Sequence, residues 1–311
     1  QRSQILVSNG AKHTIFNLCC ALLDPGDEAI IPAPYWVSYP DMVLIADGTP
    51  VPVFAGANQG YKITPAQLAS AITPRTRLFI LNSPSNPTGA AYSRAELVAF
   101  GSVLAKHPDI VIATDDMYEH IWWGPEPFCS FATACPDLYN RTVTINGVSK
   151  SYAMTGWRLG YCGGPAELIA AMATIQSQST SNASSISQKA ATVALNGPQE
   201  CVAEMNRAFK ARHDLVVAGL NDLPGTSCLA GWGTFYAFAN VEQAMRMTGS
   251  ADDNAFAEFL INEAGVAVVP GSAFGAPGHI RLSFACSMDM LKDALARMQR
   301  ALAGAAARKR A

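Results

Sequence analysis

Apolar and polar positions follow two periods along this chain, and the periods take turns. Ile5-Leu6-Val7 is a short apolar run broken by Ser8-Asn9-Gly10; Ile15, Leu18, Cys19 and Leu22 then recur at helical spacing until Asp24-Pro25-Gly26 stops them. That is strand, glycine turn, helix. Apolar runs at 29–31, 76–81, 110–113 and 143–145 read as further strands, with a helical stretch at 95–106 between two of them. The alternation predicts an α/β fold with a mostly parallel sheet.

Past Gly197-Pro198 the pattern changes. Residues 199–223 carry one long helical pattern that ends at Pro224-Gly225. Strands at 233–239, 266–269 and 279–284 then mix with helices at 253–264 and 288–303. The expectation is a large domain over 1–198, and over 199–311 a connecting helix and a smaller C-terminal α+β domain. A length of 311 residues with 50% hydrophobic content agrees, because it exceeds the usual size of one core.

Charge narrows the partners. With 22 Lys and Arg against 24 Asp and Glu, the net charge of -2 offers no basic field to nucleic acid or to an anionic membrane. No apolar run reaches the length of a bilayer span, so no membrane insertion is expected. The eight cysteines show no CxxC or Cys/His spacing, so they suggest no metal and read as buried thiols in a reducing cytoplasm. The chain opens on Gln1 rather than Met and enters a strand at once, the look of a fragment without its N-terminal arm. Arg308-Lys309-Arg310 reads as a solvated tail.

In an open α/β sheet, ligands bind beyond the carboxyl ends of the strands. The run ending at Leu81 leads into Asn82-Ser83-Pro84-Ser85-Asn86-Pro87-Thr88-Gly89, the run ending at Ala113 into Thr114-Asp115-Asp116-Met117-Tyr118, and the run ending at Ile145 into Asn146-Gly147-Val148-Ser149-Lys150. An amide, a carboxylate, a phenol and an amine should share one rim.

The stretch GVSKSYAMTGWRLG at 147–160 resembles the lysine attachment signature of class I aminotransferases, the fold-type I pyridoxal-phosphate (PLP) enzymes. SNPTG, DxxY, PYW and IRLSFA occur in the order that family has them and cover nearly the whole chain, most like bacterial aspartate aminotransferases. The resemblance implies the PLP-dependent transferase fold, PLP as cofactor, and a homodimer with a shared active site. It also implies ping-pong transamination between an amino acid and a 2-oxo acid. A PLP-dependent C–S lyase and a non-catalytic PLP-binding module are the alternatives on the same scaffold.

Carried over residue by residue, the likeness makes Lys150 the Schiff-base lysine and proton carrier. Among few other charges its pKa should be lowered. Asp115 becomes the partner of the pyridine N–H, where the plainer reading is a helix cap, and Tyr118 with Asn86 the donors to the ring's phenolic oxygen. Asp116 should point away from the rim. Arg158 is a phosphate fork or half of a structural ion pair, and the likeness favours phosphate. Gly10, Ala11 and Lys12 offer a helix start to the same phosphate, with Ser149 as a further contact. Ala11 departs from the family's GGK or SGT, and Gly147 stands where some relatives carry a phosphate-binding serine. Trp36 offers a flat face to the ring and the substrate. Arg281, between Ile280 and Leu282 on a strand, is assigned the substrate's α-carboxylate with Asn86 assisting. Lys12 has a second role open to it, receiving an acidic side chain, which makes aspartate and glutamate the leading substrates. His120 reads as a helix-face residue, and Trp122, Trp123 and Trp232 as core or interface.

Overall fold

The computed structural model describes the backbone of residues 1–308 and the side chains of residues 1–305, so the side chains of the basic tail at 308–310 lie outside the described residues. Up to the long connecting helix the elements are β1 (Ile5–Ser8), α1 (Ala11–Leu22), β2 (Glu28–Ala33), α2 (Ser38–Ile45), β3 (Thr49–Phe54), α3 (Pro65–Ala71), β4 (Thr76–Asn82), α4 (Arg94–Leu104), β5 (Val111–Asp115), α5 (Phe131–Ala134), β6 (Thr142–Gly147), β7 (Gly160–Gly163), α6 (Ala166–Ser179) and α7 (Ser185–Asn196). Then follow α8 (Glu200–Asp222), β8 (Ser227–Cys228), β9 (Tyr236–Asn240), α9 (Glu242–Thr248), α10 (Asp253–Ala264), β10 (Val269–Pro270), β11 (His279–Ser283) and α11 (Met288–Arg308).

Seven strands form one sheet in the order β1-β7-β6-β5-β4-β2-β3. The pairs from β3 through β6 are parallel, while β7 runs antiparallel to both β6 and β1. The expected α/β fold with a mostly parallel sheet is therefore present. Burial on both faces explains the continuous apolar runs. On β4, Leu78 and Ile80 enter the core shared with α1, α2 and α6, while Phe79 and Leu81 enter the core shared with α3, α4 and α5.

A second sheet, β10-β11-β9-β8, is antiparallel and is covered by α8 to α11 around Phe256, Leu260, Phe284 and Met298. All its strands lie beyond residue 198. Two expected strands shrink: 266–269 keeps only Val269 before pairing ends at Pro270, and 233–239 begins at Tyr236. The residues ahead of Tyr236 are used otherwise, in a bridge between Gly233 and Trp122 and a hydrogen bond from Trp232 N–H to Gly89. The cysteine reading needs correction too. Cys19, Cys135, Cys162 and Cys228 are buried, but Cys20, Cys129 and Cys286 are only partly covered, and Cys201 is exposed on the solvent side of α8. No helix among the described residues is long and apolar enough to cross a membrane.

Candidate active site

Because β4, β5 and β6 are parallel and in register, their last residues come out side by side. Asn82 pairs with Asp115, and Asp115 with Ile145, two residues before β6 ends at Gly147 and the loop to Lys150 begins. Beyond these ends lies a cavity of about 370 Å³. Asn82, Asn86, Asp115, Tyr118, Ser149 and Lys150 come to it from the strand ends; Ala11 and Lys12 from the start of α1; Trp36 from the turn after β2; Thr155 and Arg158 from the loop before β7; and Tyr236 and Arg281 from the second sheet.

The half-buried Lys150 has its ammonium 5.5 Å from the Phe235 ring centre. Burial lowers its pKa, and Arg158 and Arg281 lower it further against the opposing charge of Asp115. The Asp115 carboxylate accepts a 2.6 Å hydrogen bond from the Tyr39 hydroxyl and a 3.3 Å bond from the Met117 N–H. Burial raises its pKa, while Tyr39, Met117 and Lys150 pull the other way. No helix follows Asp115: Glu119 N–H closes a turn on Asp116, and the chain then pairs with 233–234, so the carboxylate caps a turn. For the same reason His120 sits in a turn, 3.4 Å from Glu119, and not on a helix face. Asp116 is buried but absent from the cavity wall, as strand alternation requires.

Tyr118 is buried, its ring edge-on to that of Tyr236 at 6.2 Å; burial, then Tyr236, raises its pKa well above the usual phenol range. Arg281 extends from β11 into the cavity while Ile280 and Leu282 enter the core behind it. One arm donates to the Asn86 side-chain oxygen at 3.0 Å, and the guanidinium lies 4.3 Å from the Tyr236 ring centre and 4.9 Å from that of Phe274. Its Nε is buried without a partner among the described residues.

Arg158 is exposed, and its Nη1 donates to the Thr155 carbonyl at 2.9 Å. Gly10 does not line the cavity but lies directly behind this guanidinium, where a Cβ would collide with Nη2 and Cζ. Its φ of 83° also belongs to glycine. Gly147 is equally constrained. It pairs with Gly160 across β6 and β7, and a Cβ would meet the Leu159 carbonyl at 2.9 Å. The Lys12 ammonium is 5.0 Å from the Trp36 ring centre, and Trp36 meets Tyr39 edge-on at 5.3 Å.

Every proposed site residue except Gly10 thus lines one cavity. Sequence reasoning left out Asn82, Tyr39, Thr155 and Tyr236. Asn82 was legible, since it is the first residue beyond an apolar run; its amide donates to the Asp115 carbonyl at 2.8 Å and its oxygen accepts the Asn86 N–H at 2.8 Å. Tyr39 and Tyr236 carried no comparable signal, because each reaches the site through packing between distant segments. Among the described residues, no group of three or more His, Cys, Asp or Glu side chains could hold a metal.

A family model described as aminotransferase class I and II matches residues 1–298. The chain is 56% identical over 301 residues to the aspartate/prephenate aminotransferase of Nitrosomonas europaea, an alignment covering 95% of this chain and 76% of that protein. The crystal structure of the Rhizobium meliloti aspartate aminotransferase superposes with a TM-score of 0.92 at 48% identity, over 97% of this chain and 77% of that one. The Thermus thermophilus aspartate aminotransferase with maleate gives 0.89 at 42%, over 97% and 76%.

Proposed function

The chain belongs to the class I and II aminotransferases and catalyses transamination between an amino acid and a 2-oxo acid; from that premise we propose that Lys150 is its catalytic lysine and that PLP is its cofactor. The observation that carries the proposal is Lys150 itself, an amine of lowered pKa at the cavity wall between Asp115, Arg158 and Arg281. The donor set fits the cofactor. The start of α1 and an exposed guanidinium laid over a bare glycine suit a phosphate, and a buried carboxylate suits a pyridine N–H. When bound, PLP supplies a protonated pyridine ring that stabilises negative charge at the substrate's α-carbon.

The remaining work falls to the chain's own groups. Lys150 Nζ would hold the cofactor and, as a free amine, would take the substrate's α-proton; its lowered pKa leaves more of the amine unprotonated for both tasks. Arg281, steadied by Asn86 and with Nε unpaired, receives the α-carboxylate on its planar fork. Tyr118 and Asn86 would donate to the ring oxygen, Ser149 would assist Arg158 and the start of α1 at the phosphate, and Trp36 would cover the ring face.

Aspartate or glutamate is the proposed donor. Lys12 stands over Trp36, where it can meet a second carboxylate. Relatives whose names pair aspartate with prephenate, and one solved with maleate, support a dicarboxylic substrate. The assembly proposed is a homodimer with a shared site, for which light scattering should give twice the chain mass. The deciding experiment is borohydride reduction of the PLP-treated protein followed by peptide mapping. Label is expected on Lys150, lost in Lys150→Ala with the fold retained; label on another lysine overturns the assignment.

A further inference from the structure

Two oxygens of Asp115 face different surroundings. Among the described residues, Oδ1 receives only a long bond from a turn N–H, at 3.3 Å, whereas Oδ2 receives the Tyr39 hydroxyl at 2.6 Å. Tyr39 is fully enclosed, at 2% exposure, and comes from α2, an element that supplies no cavity-wall residue of its own. Its ring also abuts the edge of Trp36 at 5.3 Å and 86°. One side chain therefore touches both the carboxylate proposed for the pyridine nitrogen and the indole proposed for the ring face.

We propose that Tyr39 is a positioning residue that fixes Asp115 and, by donating its O–H, keeps that carboxylate ionised so that a proton stays on the partner nitrogen instead of passing to Asp115. This inference rests on the PLP reading given above. The physical reason is competition for one proton. Asp115 is desolvated, and each hydrogen bond to its charged form offsets that penalty; Lys150 is the cation that helps, while Asp116 and Tyr118 contribute no favourable charge. A phenol donating to a carboxylate is a charge-assisted bond, stronger than the turn N–H at 3.3 Å. The direction cannot reverse, because burial and the neighbouring Asp115 carboxylate hold the Tyr39 pKa well above the usual phenol range, so the phenol keeps its proton.

Tyr39→Phe tests this by removing one oxygen and leaving the ring against Trp36. In the cofactor-free chain carrying carboxyl-¹³C aspartate, with Asp115 assigned through Asp115→Asn, the Asp115 resonance is expected to titrate at higher pH in the variant. In the PLP-loaded chain, the ¹⁵N resonance of labelled cofactor is expected to move toward the unprotonated position, with kcat falling about tenfold to a hundredfold and KM moving less, the scale of one hydrogen bond to a charged group. Thermal unfolding of the variant checks that the fold is kept. Unchanged ¹³C titration and unchanged ¹⁵N shift in a folded variant overturn the role of Tyr39. Failure of the unaltered chain to bind PLP at Lys150 overturns the PLP reading instead, and the ¹³C arm still decides whether Tyr39 holds the carboxylate.

Discussion

Asp115 and Asp116 are adjacent, both buried, and chemically alike, yet only one reaches the cavity. Burial, with Glu119 and Asp115 nearby, holds the Asp116 carboxyl pKa well above its ordinary range, and its Oδ2 has no hydrogen-bond partner among the described residues. Asp115→Ala should therefore abolish nearly all turnover, while Asp116→Ala keeps most of it. Steady-state rates at saturating PLP decide, and equal losses would refute the pairing of Asp115 with the ring. Lys12 poses the other choice at this scale. If it receives a distal carboxylate, Lys12→Ala should lower kcat/KM for aspartate by about tenfold to a hundredfold and spare phenylalanine, the scale of one charge-assisted hydrogen bond. A parallel fall for both donors would make Lys12 a phosphate residue.

Among the elements, the junction of β1 and α1 carries the sharpest constraint. Gly10 takes a positive φ, and its missing side chain is what admits the Arg158 guanidinium. Gly10→Ala strains the backbone and displaces Arg158 together. The expected result is a loss of about 1–3 kcal/mol in stability, from the forced positive φ. PLP affinity should fall at least tenfold, measured by equilibrium dialysis. Retained affinity would show that Arg158 is not a phosphate ligand. The strands β4 to β6 were legible as apolar runs because both faces of the sheet are buried. By contrast β3, with exposed positions at Thr49, Pro52 and Phe54, and the glycine-bounded β7 lacked such a run and went unread.

For the whole molecule, we propose that the boundary near Pro198 separates two bodies, with Arg281 bringing the smaller over the cofactor. His213 on α8 ties the second body to the first. Its Nε2 accepts the Gly231 N–H at 3.1 Å, its Nδ1 donates to Asp214 at 2.9 Å, and its ring lies 5.1 Å from Trp123. Burial lowers its pKa from 6.5, against the pull of Asp214. A histidine with a depressed folded pKa stabilises nothing extra above 6.5, where both states are neutral; as pH falls below 6.5 the unfolded chain binds the proton first and stability is lost. Urea midpoints should fall between about pH 7 and 5, and His213→Gln should flatten that slope. His13 acts in the same direction, so the difference between the two proteins is the measure, and an unchanged slope would count against His213.

Local pattern was enough to determine β1, β2 and β4 to β6, the mostly parallel sheet, and a rim bearing Asn86, Asp115 and Lys150, because apolar periodicity and the strand-end rule act over a few residues. The family motifs added Arg158, Arg281 and Trp36. Tertiary structure alone decided that Tyr39 from α2 meets Asp115, that Tyr236 meets Tyr118, and that Asn82 ties two strand ends together. It also decided that His120 lies in a turn, since the pairing that forbids a helix there comes from 233–234, more than a hundred residues away. The reason is the same in each case. These contacts join segments far apart in sequence, and side-chain packing between elements leaves no period in the chain to read.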